Sequence, residues 1–341
     1  MQAALFVPAP FSTVSGGYNY DRAIVAGLRA RGHVVDVVEL DGTHPLPDDA
    51  ARASARAAWA TLSGDVVPII DGLCLPAFAP GDIASRRTVG LIHHPTALET
   101  GHDAATRDAL RSTERALMPL LARAIVTSVP TGARLTDEFG VAAERIAVVV
   151  PGTAPAPRSP GSGGPACAIL SLAVITPRKG HDVLLRTLAR LRDLDWTLTI
   201  AGAPRDPVHA RELVALAAEL GIAPRVTFAG EVVAESLEAL WHGADLFALA
   251  SHYEGYGMAI AEALKRGLPV ATTSGVAGNL VTADSGIVVA PGDDAAMARA
   301  LRRFIFDRPL RAEMAEGAWQ VGQLLPDWPT QADAFAAALA P

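Results

Sequence analysis

Cysteine and lysine are nearly missing from this 341-residue chain. The two cysteines, Cys74 and Cys167, lie far apart in segments that read as different domains. That argues against a disulfide framework, fits a reducing cytoplasm and predicts two buried thiols. Lys179 and Lys265 are the two lysines among 29 basic residues, so a lysine in a loop carries information. Acidic residues number 36, and the net charge of −7 opposes general attraction to nucleic acid or to anionic lipid. Long apolar runs are missing too, since no window offers the roughly 20 uninterrupted apolar residues of a spanning helix. The opening MQAALFVPAPFSTVSGG has no basic leader and too short an apolar run for a signal-peptide core, so it reads as a first strand. Apolar residues make up 50% of the chain, enough for two buried cores, and the length suggests two domains. The expectation is a soluble, cytoplasmic globular protein with no nucleic-acid partner and no strong membrane signal.

Short β-rich runs alternate with longer helical patterns from the start. ALFVP precedes a helical DRAIVAGLRARG, HVVDVVEL precedes AARASARAAWATL, and DVVPIID, TVGLIHH, RAIVTS and RIAVVV are further strand-like runs. Continuously apolar strands alternating with helices predict a parallel α/β sheet covered on both faces. At Pro151 the texture changes to PGTAPAPRSPGSGGP, which reads as an interdomain linker. Alternation then resumes with ACAILSLAV, DVLLRTLARLRD, WTLTIAG and onward. The fold class expected is α/β, two Rossmann-like doubly wound domains facing a central cleft, over residues 1–155 and 164–322. A terminal helix over 323–341 is expected to pack back on the first. Ligands of open α/β sheets bind at the carboxyl ends of strands, so the chemistry belongs in loops that follow strands.

One such loop is SHYEGYGMAIAEALKRGLP, from Ser251, with Glu254 and Glu262 eight positions apart. Gly255 and Gly257 let the backbone turn sharply and approach a ligand, and the helix start offers free N–H groups to an anion such as a diphosphate. Eight helical residues rise about 12 Å, roughly the distance from sugar to ribose in a nucleotide sugar. A helix start with one glutamate favoured by the dipole and a second on the solvent face is the plainer alternative. E-x7-E after an apolar strand, with GYGM inside it and ALKRGLPV following, resembles the retaining glycosyltransferases of family 4, which have the GT-B fold. The resemblance runs from about Gly16 to Asp293 and is strongest between Pro177 and Pro291. It implies that residues 1–155 face the acceptor and 164–322 bind the donor. Glu254 would contact the donor sugar and Glu262 the ribose hydroxyls. The backbone of Gly255, Tyr256, Gly257 and Met258 would meet the diphosphate or sugar.

A second loop, TPRKGHDVLL, sets Arg178 and Lys179 between a strand and a helix, where cations can neutralise a departing diphosphate. The resemblance assigns Lys179 to the donor phosphates. Where relatives commonly carry an arginine at the strand end, this chain has Val174, so either Arg178 substitutes from the other side or Lys179 serves alone. In TVSGGYNYDRAI, Gly16 and Gly17 let main-chain amides face an anion or sugar. GLIHHPTALETG ends a buried strand with two histidines; the resemblance favours His93 as a hydrogen-bond partner of the donor sugar, with His94 replacing a usual acidic neighbour. Acceptor contacts are expected around 12–20 and 96–102, including Tyr18, Asn19, His94 and Glu99. RVTFAGEVV resembles the family's nucleobase-proximal loop, which implies Gly230, Glu231 and Val232 as base or ribose neighbours. The arginines at 107, 111, 115 and 123 are interrupted by Asp108 and Glu114 and read as a solvated helix face.

The implied reaction moves a sugar from a nucleoside diphosphate donor, a UDP-sugar by family habit, to a hydroxyl of a soluble small molecule with the anomeric configuration kept. Catalytic candidates are His93, Lys179 and Glu254. No cofactor is implied, and no metal, because no DxD-like pair and no His/Cys ligand spacing stand in a cleft loop. Asp293 and Asp294 read as helix-capping residues. A nicotinamide oxidoreductase, with Glu39 or Asp41 on the ribose, is disfavoured because SGGYNYD is not G-x-G-x-x-G. An epimerase or hydrolase on the same architecture, or a non-catalytic nucleotide-sugar binder, stays open, as does the oligomeric state.

Overall fold

Strand and helix alternate through both halves of the computed structural model, which describes residues 1–99, 101–276 and 278–340. The chain divides into two compact units, Met1–Gly152 joined by the terminal segment from Pro326, and Thr153–Leu325. Each contains a parallel six-stranded sheet flanked by helices.

The first sheet is built from β1 (Gln2–Pro8), β2 (Val34–Leu40), β3 (Val67–Asp71), β4 (Val89–Ile92), β5 (Arg123–Val126) and β6 (Ile146–Val148), in the order β2-β1-β3-β4-β5-β6. The apolar runs explain the central strands: all four residues of β4 and the last six of β1 are buried, as strands covered by helices on both faces require. Phe6, Trp59 and Phe78 interlock in this core, with Phe6 and Phe78 edge to face at 5.4 Å. The terminal helix Trp328–Leu339 lies against helix Gly16–Ala30, where Gly27 admits it: a Cβ there would come within 2.5 Å of the Ala332 Cβ. Arg31 and Asp333 pair beside this contact.

The second sheet comprises β7 (Cys167–Leu172), β8 (Trp196–Ala201), β9 (Val226–Gly230), β10 (Leu246–Leu249), β11 (Val270–Thr273) and β12 (Gly286–Val289), in the order β12-β11-β10-β7-β8-β9. The chain builds outward from β7 through β8 to β9, then returns and builds the other way from β10. That reversal sets β7 beside β10, the position where open α/β sheets bind ligands. In the first sheet the reversal falls at β1 and β3.

Residues 151–163 carry neither helix nor strand. Part of this stretch packs on the second unit, since Ser159 donates its N–H to the Arg266 carbonyl at 2.9 Å. Both cysteines are free and buried. Helix Ala104–Leu117 spends its arginines on neighbouring structure: Arg111 pairs with Glu138 at 3.2 Å and Arg115 donates to the Glu138 carbonyl. Asp293 caps helix Asp294–Phe306 by accepting the Ala296 N–H. Among the described residues no helix is long and apolar enough to cross a membrane.

Candidate functional site

Because β7 and β10 are parallel neighbours, paired Ile169 to Leu246 and Leu170 to Phe247, the loops that leave them emerge side by side. Two hydrogen bonds, one between backbones and one from a side chain, tie these loops together. His252 donates its N–H to the Arg178 carbonyl at 2.8 Å, and the Arg178 guanidinium donates to the Tyr253 carbonyl at 2.7 Å. Gly180, at φ 64°, lets the first loop press on the second, because a Cβ there would collide with the Ala250 carbonyl oxygen.

The paired loops converge on one carboxylate. Lys179 Nζ forms an ion pair with Glu254 Oε1, Arg178 Nη1 stands 3.7 Å from Oε2, and Ser251 Oγ donates to Oε1 at 3.2 Å. All three charged side chains are about one-eighth exposed, 12% each. Burial pushes the Glu254 carboxyl up, but Lys179 and then Arg178 outweigh it and hold the group below the usual carboxylate range. Two cations thus face this one carboxylate, and cations so placed are the groups an anionic ligand needs. Next to Lys179, buried His181 has no partner at either ring nitrogen among the described residues. Burial, then Lys179 and His209, push it down to about 3, so it is neutral and adds no charge.

Gly257, one of the glycines expected to admit a ligand, also has a structural duty. Glu254 donates its N–H to Gly275 O at 2.9 Å and forms an isolated parallel bridge to Val276. Gly257, at φ 99°, passes under Val276, whose Cγ1 would lie 2.6 Å from a Cβ there. Helix Met258–Lys265 starts directly after it with no side-chain cap. The helical ruler between Glu254 and Glu262 therefore fails: Glu254 sits on the bridge, outside the helix, and the 12 Å rise does not measure their separation. Tyr256 is buried, and burial pushes its phenol up to about 12.

Glu262 is half-buried, and no hydrogen bond holds its carboxylate among the described residues. Burial, against the pull of Arg266 and with the push of Glu238, drives it up to about 7. A group whose folded pKa is raised stabilises the fold below its unfolded value, near 4.5, and loses that contribution as pH rises through about 7. Glu262→Gln is therefore expected to be neutral at pH 4 and stabilising by about 2–3 kcal/mol at pH 8. Urea unfolding at the two pH values measures this; an equal effect at both removes the buried-acid account of Glu262.

On the first unit, His93 follows β4, Asp71 ends β3 and Asp21 lies in helix Gly16–Ala30. His93 Nε2 is 3.0 Å from Asp21 Oδ1 and 3.5 Å from Asp71 Oδ2, and both aspartates are buried. Their donor atoms lie within 4.8 Å of one another, a spacing a metal ion would also require. Gly17 makes room for the imidazole, since a Cβ there would sit 3.3 Å from His93 Cδ2. Gly16 opens the helix behind Ser15, whose hydroxyl accepts the Tyr18 N–H at 3.4 Å. Tyr18 donates its hydroxyl to Pro8 O, and Asn19 Oδ1 accepts from Arg22. His94 bonds Glu99 at 2.9 Å, while buried Glu114 accepts from Thr96 and Ala97 and props the same loop. Thr100, also expected on the acceptor side, lies outside the described residues.

Residues 158–321 match the family described as glycosyl transferases group 1. The second unit is a group 1 glycosyl transferase domain. A curated relative, D-inositol 3-phosphate glycosyltransferase of Salinispora arenicola, is 33% identical over 215 residues, covering 54% of this chain and 47% of that protein. The chain thus spans about half the length of the curated relatives it matches. Sucrose-phosphate synthase from Thermosynechococcus elongatus superposes with a TM-score of 0.82 at 19% identity, covering 99% of this chain and 98% of the other. Anabaena HepE, solved in complex with UDP-glucose, gives 0.79 at 20% identity over 99% of each chain. These structures establish the GT-B fold.

Within the group 1 domain the structure brings together Arg178, Lys179 and Glu254. Glu231 and Val232 follow β9, the outermost strand, which β8 separates from β7. Val174 is half-buried beyond the end of β7, and the second cation beside Glu254 is Arg178. Asp21 and Asp71 escaped the sequence reading. Each looks like an isolated acid in its own segment, and only the sheet order brings them to His93. His181 was missed as a buried residue inside a motif read for its cations.

Proposed function

We propose that the chain is a retaining glycosyltransferase that moves a sugar from a nucleoside diphosphate donor to a hydroxyl of a soluble small-molecule acceptor. The observation that carries this is the Arg178–Lys179–Glu254 cluster at the strand-order reversal of a group 1 glycosyl transferase domain. A diphosphate carries more charge than one carboxylate and competes for Lys179 and Arg178; that exchange frees Glu254 to accept hydrogen bonds from sugar hydroxyls. The amides of Gly255, Tyr256, Gly257 and Met258 face the sugar or diphosphate, and Glu262, whose carboxylate makes no hydrogen bond among the described residues, takes the ribose diol. His93 donates to a sugar hydroxyl; Gly16, Gly17, Tyr18, Asn19, His94 and Glu99 belong to recognition on the first unit. The bond from the anomeric carbon to the diphosphate breaks, the acceptor oxygen attacks the same face, and its proton passes to a phosphate oxygen. Positioning and fixed charge supply the rate.

The UDP-glucose complex of HepE supports a uracil base, although its identity with this chain extends only to the fold. The curated relatives are named for an inositol phosphate acceptor and for transfer, which favours transferase over epimerase, hydrolase or binding protein. Incubation with UDP-, GDP- and ADP-sugars, following nucleoside diphosphate with and without polyol acceptors, tests the reading. Acceptor-dependent release from a UDP-sugar is the expected result. Release that ignores the acceptor indicates hydrolysis, and binding without turnover indicates a binding protein; either one overturns it.

A further inference from the structure

The His93 cluster is built with more care than a hydrogen bond to one sugar hydroxyl demands. Three elements that are distant in sequence, helix Gly16–Ala30, the last residue of β3 and the residue after β4, bring two buried carboxylates to the same imidazole nitrogen. At 3.0 Å the Nε2 to Asp21 distance is that of a hydrogen bond, and an ionised carboxylate only accepts, so the proton on this line is carried by Nε2. The Cδ2–Nε2 edge of the ring faces Gly17, and Tyr20 stacks on the ring edge to face at 5.2 Å. Tyr20 is itself anchored, donating its hydroxyl to Val149 O at 3.0 Å and packing on Trp328. Thr127 Oγ1 donates to the His93 carbonyl at 3.1 Å, which fixes the backbone. The imidazole side chain keeps 19% exposure, and with the Nε2 edge occupied, the edge left for a ligand is the one bearing Nδ1.

We propose that Asp21 and Asp71 are positioning residues for the transfer reaction: they clamp Nε2 of His93 as a proton donor, so that the Nδ1 edge is the one presented to substrate. The catalytic consequence rests on the transfer reading above; the clamp itself does not. The electrostatics agree with the geometry. Burial pushes His93 down, but Asp21, by charge and by hydrogen bond, and then Asp71 outweigh it, and the imidazole is held above its usual value. Asp71 moves the opposite way for a carboxylate: burial and then Asp21 push it up to about 7, against the pull of His93 and of the Leu73 N–H. The cluster therefore favours the imidazolium form of His93, in which both ring nitrogens are protonated, and near neutrality Asp71 exchanges one proton with solvent. Nδ1–H is then a charged donor toward a sugar oxygen. The other titratable groups packed on the cluster, Tyr20 and Cys74, are pushed above their ordinary values, chiefly by burial, and stay neutral at physiological pH.

The test is nitrogen-15 histidine NMR of the full chain across pH 5 to 9, joined to the pH profile of donor turnover. His93 is expected to stay cationic above pH 6.5 and, on deprotonation, to keep its proton on Nε2. Asp21→Asn is expected to lower the His93 midpoint by about one pH unit or more. Asp21→Glu is expected to restore the midpoint, and Asp71→Asn provides a second reading should Asp21→Asn fail to fold. In the turnover assay Asp21→Asn is expected to lower kcat/KM about tenfold and to move the alkaline limb of the profile downward. A His93 midpoint at or below 6.5 that neither variant moves overturns the clamp, as does a neutral ring with its proton on Nδ1. Micromolar binding of zinc or manganese that His93→Gln abolishes also overturns it, because a metal would occupy the Nε2 lone pair. Failure of donor turnover alone strikes the transfer reading and leaves the spectroscopic result standing.

Discussion

Glu254→Ala is expected to lower nucleotide-sugar turnover by about a thousandfold or more while the protein still binds nucleoside diphosphate. The carboxylate sits where Lys179, Arg178 and Ser251 converge, and it has no neighbour of like charge among those partners. Removing it takes from two mostly buried cations the carboxylate they share; loss of one member of such a pair costs about 3–5 kcal/mol. A bound diphosphate offsets that loss, so the variant is expected to show a larger rise in Tm on adding UDP than the wild type. Glu254→Gln separates charge from shape: it keeps the Ser251 contact and the packing, and it is expected to lose turnover nearly as completely with a smaller loss of Tm. Near-normal turnover in either folded variant rejects the assignment of Glu254 to the donor sugar. The pH dependence carries a definite sign. Glu254 is held below its usual value, so its contribution to stability is present above about pH 4.5 and is lost as pH falls through its folded value. Lys179→Met is expected to shrink that acid-side loss, because Lys179 is the chief opponent of burial at Glu254.

Gly180→Val is expected to destabilise the fold by about 3–5 kcal/mol and to abolish turnover with it. Two costs combine: a left-handed backbone at φ 64° that a β-branched residue resists, and a Cβ that would collide with the Ala250 carbonyl at the end of β10. Gly230 provides the control. It has nearly the same φ, 65°, yet nothing lies within 4 Å of a Cβ there, so Gly230→Ala is expected to cost only about 1–2 kcal/mol. Urea unfolding of both variants measures the difference. Equal costs would mean that the close approach of the Lys179 loop to the Glu254 loop contributes nothing to the fold.

Much of the architecture was legible because it is local. Alternating apolar strands and amphipathic helices mark their own boundaries, and serine and aspartate caps such as Ser15 and Asp293 stand where their helices begin. The EGYG turn and the PRKG turn announced themselves by glycine, charge and a preceding apolar strand. The 12 Å ruler failed for a local reason seen only from afar: residues 275 and 276, on the turn after β11, capture the Glu254 backbone and hold it out of the helix. Glu231 and Val232 were singled out by the likeness of RVTFAGEVV to a nucleobase-proximal loop, and the pattern of one strand cannot say whether that strand lies at the centre or the edge of its sheet.

Residue order alone was enough to establish that this chain is an α/β protein with two sheets, and that the turns after two apolar strands hold its glycines, its scarce lysine and a carboxylate. Which of those turns meet was decided by tertiary structure. Lys179 and Glu254 are 75 residues apart and form a pair because β7 and β10 became neighbours; His93 and Asp21 are 72 apart and meet across β1, β3 and β4. Strand order is a cooperative outcome of burying both faces of every strand at once. No single segment encodes it, and the charges it brings together give no sign of their partners beforehand.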